Sequence, residues 1–353
     1  MKYAYIRYKQ NYPNIHRLNK GFSLVELMIA IVLGLLILGA ILGVFAGTSQ
    51  TFRTQEAMSQ VQESGRFAIE ILTRDIRQTG FRGACLPGTS MNNLLAFDAT
   101  DEDEVRIFDF NSSAIEGWHQ SAGPHANLMT DYLPGTDTLL IKKVANMDVK
   151  PNGNTPANAG NINLSGPSGI SREQIVVISD AESCDIFQNT ANDNATTVAR
   201  GSAGNMTPGN VNPSNDLSRS YDESAQLFRF ETRLYYIGGS DATPGQNALR
   251  RIDFGLGDAN DQEIITGVAD FRVRYGVDTN SNGRINSYQT ASNVSNWDNV
   301  LAVRLYLITN SPTAENVVDA PQTLTIDGGV WNAPDRRLHQ VFSSTVGIRN
   351  RLN

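Results

Sequence analysis

The sequence predicts an α+β protein in which one long N-terminal helix, first apolar and then amphipathic, packs on a large antiparallel β-rich head. Three observations predict this class. An apolar segment of membrane length lies near the N-terminus, an apolar stripe with helical spacing follows it, and segments of alternating polarity fill the chain beyond residue 80. A head of this length can bury a sizeable core and can divide into two sheets.

The apolar segment follows a basic leader. Residues 1–21 carry five basic side chains and no acidic one, a charge block that the positive-inside rule keeps in the cytoplasm. Leu27–Gly47 then runs for 21 residues without a charge, about 32 Å as a helix and enough to cross a bilayer core. Glu26 stands at its head, where an ionisable group costs up to ~2.5–3.5 kcal/mol and predicts a functional role.

Three simpler explanations of this segment fit less well. A secretory signal would be cut after Val44-Phe45-Ala46, but its apolar core is only ~7–15 residues long. A plain single-pass anchor leaves the cost of Glu26 unexplained. A lipoprotein needs a cysteine directly after the apolar core, and the first cysteine is Cys85.

The run Lys20-Gly21-Phe22-Ser23-Leu24-Val25-Glu26-Leu27 resembles the class III signal of type IV prepilins and type II secretion pseudopilins. The resemblance implies that a prepilin peptidase removes residues 1–21 by cutting between Gly21 and Phe22. It also implies that the new N-terminus at Phe22 is methylated. In the filament, Glu26 is then the assembly carboxylate, which pairs with the terminal amine of a neighbouring subunit.

The helix is predicted to continue as an amphipathic stalk. Its apolar positions step by three or four residues, the spacing of a single buried stripe, with charged residues on the other faces: Val61, Gly65, Ala68, Leu72 and Ile76. Because Gly80 is a good helix stop, the helix is predicted from Phe22 to about Thr79. Residues 22–47 form its membrane and filament-core half and residues 48–80 its stalk.

The first half of the helix also carries a ladder of small residues, Gly39, Gly43 and Gly47, which suits close packing between helices. Major pilins usually have a proline where this chain has Gly43. That difference favours a minor over a major subunit.

Residues 81–353 are predicted to form the β-rich head. Segments of alternating or wholly apolar character, typical of strands, are Val105–Phe110, Thr138–Val144, Gln174–Ser179, Asp185–Thr190, Gln226–Ile237, Ala248–Phe254, Gly267–Val277, Val300–Thr309, Gln322–Ile326 and Gln340–Ile348. Two stretches rich in Asn, Gly, Ser and Pro, Pro151–Ser171 and Asn189–Ser220, are predicted surface loops.

Four further segments narrow the resemblance to PilW-like minor pilins: Leu72–Cys85, Cys184–Gln188, Trp297–Val300 and Thr345–Asn350. The resemblance implies a subunit that primes assembly of a type IVa pilus and sits at its tip, in the service of twitching motility, adhesion and DNA uptake. Implied partners are other minor pilins, the major pilin, a large tip adhesin, the prepilin peptidase and the inner-membrane assembly machinery. The chain would span the inner membrane once, with a periplasmic head, before entering the extracellular pilus.

The two cysteines, Cys85 and Cys184, are too few for a disulfide scaffold. In an oxidising periplasm they are expected to form one bond, and two buried free thiols are the alternative.

The charge of the chain limits its ligands. Without the five charges of the leader, the formal charge of −7 becomes −12, which argues against a general binder of nucleic-acid backbones and leaves room for a local basic patch.

An enzyme is not predicted, since no Gly-x-Ser-x-Gly or Walker sequence occurs. His119 and His125 are a weak metal pair in a loop-like stretch, and the acidic run from Asp98 to Glu104 is predicted to be a solvated loop.

One segment has the pattern of a calcium loop, and calcium is the one cofactor that the sequence suggests. Asp278, Asn280 and Asn282 place oxygen atoms at alternate positions, and Gly283 allows the sharp turn. Position twelve is Gln289 in place of the usual Glu, and only one of the three oxygen ligands is a carboxylate. The alternative is a hairpin in which Asn282-Gly283 is a tight turn.

Three classes of function therefore stay open. The first is a minor pilin at the tip of a type IVa pilus. The second is a J-type pseudopilin of a type II secretion system, whose head is usually shorter than this one. The third is a tip adhesion module whose Asn-rich loops bind surfaces or DNA.

Overall fold

A computed structural model describes residues 21–86, 88–201, 205–212, 215–311 and 316–351. The predicted leader, apart from Gly21, lies outside the described residues. The chain divides into two compact units after Phe52.

The first helix, α1, spans Leu24–Gln78, close to the predicted range. Ser23 caps its start, because the backbone N–H of Glu26 donates to Ser23 Oγ at 3.2 Å. Gly80 follows its end with a φ of +76°, a conformation that glycine adopts without the steric cost that other residues incur. The predicted helix stop is confirmed.

The second unit is rich in short strands. Its second helix, α2, spans Glu102–Phe108, and short 3₁₀ helices lie at Gly123–Leu128, Ala291–Asn293, Trp297–Asn299 and Arg349–Arg351. The strands are β1 Asn92–Asn93, β2 Ile115–Trp118, β3 Thr138–Asn146, β4 Asn161–Asn163, β5 Ile175–Ser179, β6 Cys184–Gln188, β7 Thr197–Ala199, β8 Gln226–Gly239, β9 Asn247–Asp253, β10 Asn260–Thr266, β11 Val268–Val277, β12 Ser287–Gln289, β13 Val300–Asn310, β14 Thr323–Ile326, β15 Gly329–Asn332 and β16 His339–Gly347.

The strands form two main sheets. In the large sheet, β8 pairs with β3 on one side, and on the other side with β5 near its start and β9 near its end. The path β1-β6-β5-β8-β3-β2 contains one parallel pair, β1 with β6. The small sheet is antiparallel throughout, in the order β12-β11-β13-β16. Two further two-stranded sheets pair β14 with β15, which form a hairpin, and β4 with β7, which are separated in the chain by β5 and β6.

The stalk part of α1 lies in the main core of this unit. Ala68, Ile71, Leu72 and Ile76 pack with inward side chains of both sheets. Gly65 lets the helix approach β16 closely, since a Cβ there would lie 2.2 Å from the Phe342 ring. All five predicted stripe residues are buried, so the amphipathic stalk is confirmed. The opposite face of the large sheet has its own core, to which α2 contributes Ile107 and Phe108.

Three predictions for the head are corrected by the structure. Val105–Phe110 lies largely in α2, because Asp101 accepts hydrogen bonds from the N–H groups of Asp103 and Glu104 and so caps a helix. The acidic run is therefore a helix start, where negative charge is favourable. The two predicted loops also contribute structure: β4 and β7 pair, and Ile162 and Val198 are fully buried in a third apolar cluster.

Candidate functional site at the start of the long helix

The first turn of α1 holds the predicted assembly carboxylate. Glu26 is the third helical residue after the cap Ser23, so that Ser23-x-x-Glu26 has the residue order of a capping box. Gly21 and Phe22 precede the helix, and the Phe22 side chain is 83 % exposed. The predicted cleavage position is thus accessible in the described chain, one residue before the helix cap.

The apolar half of α1 is uncovered. Its most apolar stretch has a mean hydropathy of 3.0 and none of it is buried against the rest of the chain. Gly39, Gly43 and Gly47 have open space around them, so another helix could approach closely there. A helix that is apolar on every side requires a membrane or other apolar helices around it.

At the other end of α1, an ionic cluster joins the helix to the large sheet. We call it the Asp75 cluster: Asp75 on α1, Lys143 on β3, and Glu231, Arg233 and Tyr235 on β8. Lys143 Nζ and Arg233 Nη1 lie 2.8 and 2.7 Å from the Asp75 carboxylate, and the Tyr235 hydroxyl donates to it at 2.5 Å.

Asp75 is buried, with only 2 % of the residue exposed. Burial raises the pKa of Asp75, but the charges of Arg233 and Lys143 outweigh it, so the pKa lies below its ordinary value of 3.8. Asp75 is therefore ionised and fixes the helix to the centre of the head. Asp75 was not among the residues predicted from the sequence to be functional. An acidic residue three positions after Leu72, within the apolar stripe, was the available signal.

Two family models match the chain. Residues 16–42 match the prokaryotic N-terminal methylation motif, which includes Gly21, Phe22 and Glu26. Residues 234–350 match the type IV pilus-assembly protein W family. The matched segment begins in the middle of β8 and ends just after β16. This chain is a PilW-like pilin. Its N-terminal motif and apolar helix are consistent with a membrane-anchored pilin.

The pilin is also similar to a curated protein, the pilin-like protein PilA3 of Thermus thermophilus. The two are 31 % identical over 65 residues, which are 18 % of this chain and 28 % of the relative. The match thus covers just over a quarter of the relative's length. No solved structure matches the pilin.

The pilin contains the predicted disulfide between Cys85 and Cys184. Their Cα atoms are 6.0 Å apart, within the usual range. The bond ties the segment after the stalk to β6, next to the point where Asn92 and Asn93 of β1 pair with the same strand. The two cysteines are 99 positions apart in the sequence.

The predicted calcium loop lies between β11 and β12, which pair as a hairpin. The Asp278 carboxylate accepts hydrogen bonds from the backbone N–H groups of Asn282 and Gly283 at 3.1 and 2.7 Å, and Asn282 Oδ1 accepts one from Arg284 N–H. The strands of the alternative hairpin are thus present, but residues 278–286 all lie between them, so Asn282-Gly283 does not join the strands as a tight turn. The oxygens of Asp278, Asn280 and Asn282 remain on one loop, and calcium binding there stays a prediction.

The two histidines do not form a pair. His119 Nδ1 lies 2.8 Å from Asp137, whereas the His125 ring packs edge-on against Trp118. His125 is buried, contrary to the expected exposed loop, and this burial lowers its pKa. Among the described residues, no group of three or more His, Cys, Asp or Glu side chains is placed to hold a metal ion.

Proposed function

We propose that this pilin is a minor subunit that primes assembly of a type IVa pilus and sits at its tip. The observation that supports this proposal is the pairing of two matches in one chain: the methylation motif at the start of an uncovered apolar helix, and the PilW model over the second half of the head. The apolar helix supplies the part that enters a filament. The PilW-like head supplies the part that differs from other subunits.

The proposed chemistry begins with processing. Prepilin peptidase cuts between Gly21 and Phe22 and methylates the Phe22 amine. The cut leaves a positive charge four residues before Glu26, at the end of an apolar helix. A carboxylate among apolar helices is costly unless it is paired. Glu26 therefore favours a neighbour whose terminal amine lies at the same depth, which sets the axial offset between subunits.

Processing and assembly are tested separately in a strain without redundant minor pilins. Gly21→Val should leave an uncut precursor in the membrane fraction. In the wild type, mass spectrometry should show N-methylated Phe22 as the first residue. A mature N-terminus at Gly47 would instead indicate ordinary signal peptidase and overturn the proposal.

Glu26→Ala should leave processing intact and reduce pilus number, because the amine of the adjacent subunit loses its partner. Glu56→Ala is the matched control, since Glu56 is an exposed carboxylate on the same helix. Normal pilus number in the Glu26→Ala strain would contradict the assembly role.

The two candidate functions, J-type pseudopilin and minor pilin, are distinguished by the phenotype of a strain in which the gene is deleted. Deletion of a minor pilin should abolish pili and twitching and leave secretion of folded proteins unchanged, whereas deletion of a pseudopilin should do the reverse. A tip adhesion module would keep its pili and lose only attachment.

A further inference from the structure

A groove of about 660 Å³ runs between the stalk part of α1 and β16, the last strand of the small sheet. We call it the β16-edge groove and define it by Arg66, Arg74, Arg77, Phe342 and Arg349. Three successive residues of β16, 342–344, line it. Because successive side chains of a strand point to opposite faces, a groove that touches three in a row reaches the edge of the strand.

The outer edge of β16 is open. In the described part of the chain, β16 ends the order β12-β11-β13-β16 and pairs only with β13. Just after the strand, Ile348 N–H donates to Leu301 O at 2.9 Å, and the register with β13 has no shift. Since alternate residues of an antiparallel strand bond to the same neighbour, the even-numbered residues of β16 bond to β13. Val341, Ser343 and Thr345 direct their backbone N–H and C=O groups outwards.

This edge lacks the features that usually prevent another strand from pairing. The other strands at the ends of the two main sheets are short, as are β1, β2 and β12, or charged, as is β10 with Asp261 and Glu263. β16 has nine residues, and its segment 340–347 contains neither a charged side chain nor a proline. Natural proteins protect long edge strands by charge, proline or a cover. A partner strand is therefore the expected cover of β16.

The charge of the groove indicates the chemistry of that partner. Four arginines line it, against a single acidic residue, Glu70. All four are exposed, and within the described residues none of them forms an ion pair. Asn350 Nδ2 donates to Thr79 O at 3.1 Å and so holds Arg349 beside the end of α1. The groove is thus basic although the chain as a whole is acidic, and it suits a partner that carries carboxylates.

The length of the groove fits a short strand. Arg66 and Arg77 are separated by about 16 Å along the helix axis, which about five residues of an extended chain would span. We propose that the β16-edge groove binds an extended acidic segment of a partner protein. The segment adds to the small sheet as a further strand beside β16, and its carboxylates pair with the arginines of α1.

A nucleic acid would also be attracted by four arginines, but its backbone cannot complete the hydrogen bonds of a strand edge. The proposal therefore names a protein segment, and a nucleic acid is an outcome of the test. This inference does not depend on the proposed place of the pilin in the filament.

The test uses the mature full-length pilin in detergent micelles and fluorescein-labelled peptides of about eight residues, slightly longer than the groove. In the acidic peptide, glutamate alternates with valine and threonine. One matched peptide has lysine in place of every glutamate, and another has proline in place of the central valine. Binding is measured by fluorescence anisotropy.

The acidic peptide should bind saturably with a Kd below about 1 mM, and more weakly as the salt concentration rises. The lysine and proline peptides should bind at least about tenfold more weakly, because one loses the charge pairing and the other cannot complete the strand. No binding of the acidic peptide in this range would overturn the proposal. Equal binding of the proline peptide, or of an oligothymidylate of the same charge, would also overturn it, since the groove would then attract any polyanion.

Charge variants locate the site on α1. Arg74→Glu combined with Arg77→Glu should weaken binding of the acidic peptide by about tenfold or more, because it reverses two charges of the groove. Arg53→Glu combined with Arg284→Glu is the control. It changes the net charge equally at two exposed positions outside the groove and should bind as the wild type does. Equal loss of binding in both double variants would mean that only net charge matters.

A backbone variant locates the site on β16. Ser343→Pro removes one outward N–H group and leaves the bonds to β13 in place. It should weaken binding by about tenfold or more, whereas Ser343→Ala, which keeps the N–H group, should bind as the wild type does. Melting temperatures close to that of the wild type show that each variant is folded. Binding that a folded Ser343→Pro pilin retains would refute strand addition at β16.

Discussion

The guanidinium of Arg233 donates to the carboxylate of Asp75 at 2.7 Å, across 158 residues of sequence. Arg233 lies on β8, the strand at the centre of the large sheet, and Asp75 lies one turn before the end of α1. This pair, supported by Lys143 and Tyr235, makes the attachment of the helix to the head ionic as well as apolar.

Removal of the Asp75 carboxylate should be strongly destabilising. Asp75→Ala is expected to lower the free energy of unfolding by about 3–5 kcal/mol, because it leaves Arg233 and Lys143 buried without their counter-ion. Denaturant unfolding of the mature pilin in micelles measures the effect. The matched control is Glu70→Ala, an exposed site on the same helix, where the change should stay within about 0.5 kcal/mol. Equal effects would mean that the Asp75 cluster contributes no stability.

The Asp75 cluster should also produce acid sensitivity. Since the pKa of Asp75 is lowered in the folded state, its stabilisation is present above pH 3.8 and is lost as the pH falls below that value. The difference in melting temperature between the wild type and Asp75→Asn should therefore shrink between pH 4 and pH 2. A difference that stays constant over this range would contradict the lowered pKa.

The contact between Gly65 and Phe342 can be tested by a double-mutant cycle. Gly65→Leu should cost about 1–3 kcal/mol, because its Cβ would overlap the Phe342 ring. Phe342→Ala, which opens that space, should partly rescue the Leu variant, with a coupling energy of at least ~0.5 kcal/mol. Glu63→Leu, two positions away and exposed, is the control. Additive effects would show that the helix does not pack on β16 at Gly65.

Lys142 should give the head a second pH dependence. It is 1 % exposed, and its ammonium donates to Asp109 O at 2.7 Å. Burial lowers its pKa to about 7 from 10.5. The unfolded chain therefore binds more protons between these values, and stability should rise with pH by at most about 1.4 kcal/mol per unit. Comparison with Lys142→Met, which lacks this group, from pH 6 to pH 10 measures the effect. Parallel curves would refute it.

Loss of the disulfide should lower the free energy of unfolding of the head, while the contacts within the folded head should change little. The chain-entropy model gives roughly 4–5 kcal/mol for a loop of this size. Cys85→Ser with Cys184→Ser should lower the melting temperature and the steady-state level of the pilin. Alkylation of the denatured, unreduced protein reports the bond directly: labelling of both cysteines in the wild type would show that it does not form in the cell.

Calcium binding to the Asp278 loop is expected to be weak, in the ~10⁻⁴–10⁻³ M range, because a single carboxylate offers little charge to offset dehydration. Several millimolar calcium should raise the melting temperature of the wild type relative to EDTA, and Asp278→Ala should abolish this rise. If the wild type melts at the same temperature in both conditions, the segment is only a hairpin turn.

Local patterns predicted much of the fold. The stalk stripe followed from three- and four-residue spacing, and in β11 the alternation correctly placed Phe271 and Val273 in the core with Arg272 facing outwards. The strand prediction for Val105–Phe110 was wrong. Val-Arg-Ile-Phe alternates in polarity like a strand, but Asp101, four residues before Val105, caps a helix. β10 was missed, since its polar sequence shows its role only when paired with β9.

The candidate sites were predictable only where the chemistry is local. Gly21, Phe22 and Glu26 lie within six residues, and their order is informative by itself. The Asp75 cluster draws on α1, β3 and β8, whose proximity is a consequence of tertiary packing.

The buried part of α1 has a mechanical consequence. A pull along the helix axis acts on the head through the part of α1 that begins at Arg53. In the head, the buried contacts run from Ala57 to Asp75, about 27 Å along the axis. Load along the axis therefore strains the apolar contacts and the Asp75 cluster in shear and in parallel. To separate the helix from the head, tension would have to break these contacts together, by sliding the helix along its axis.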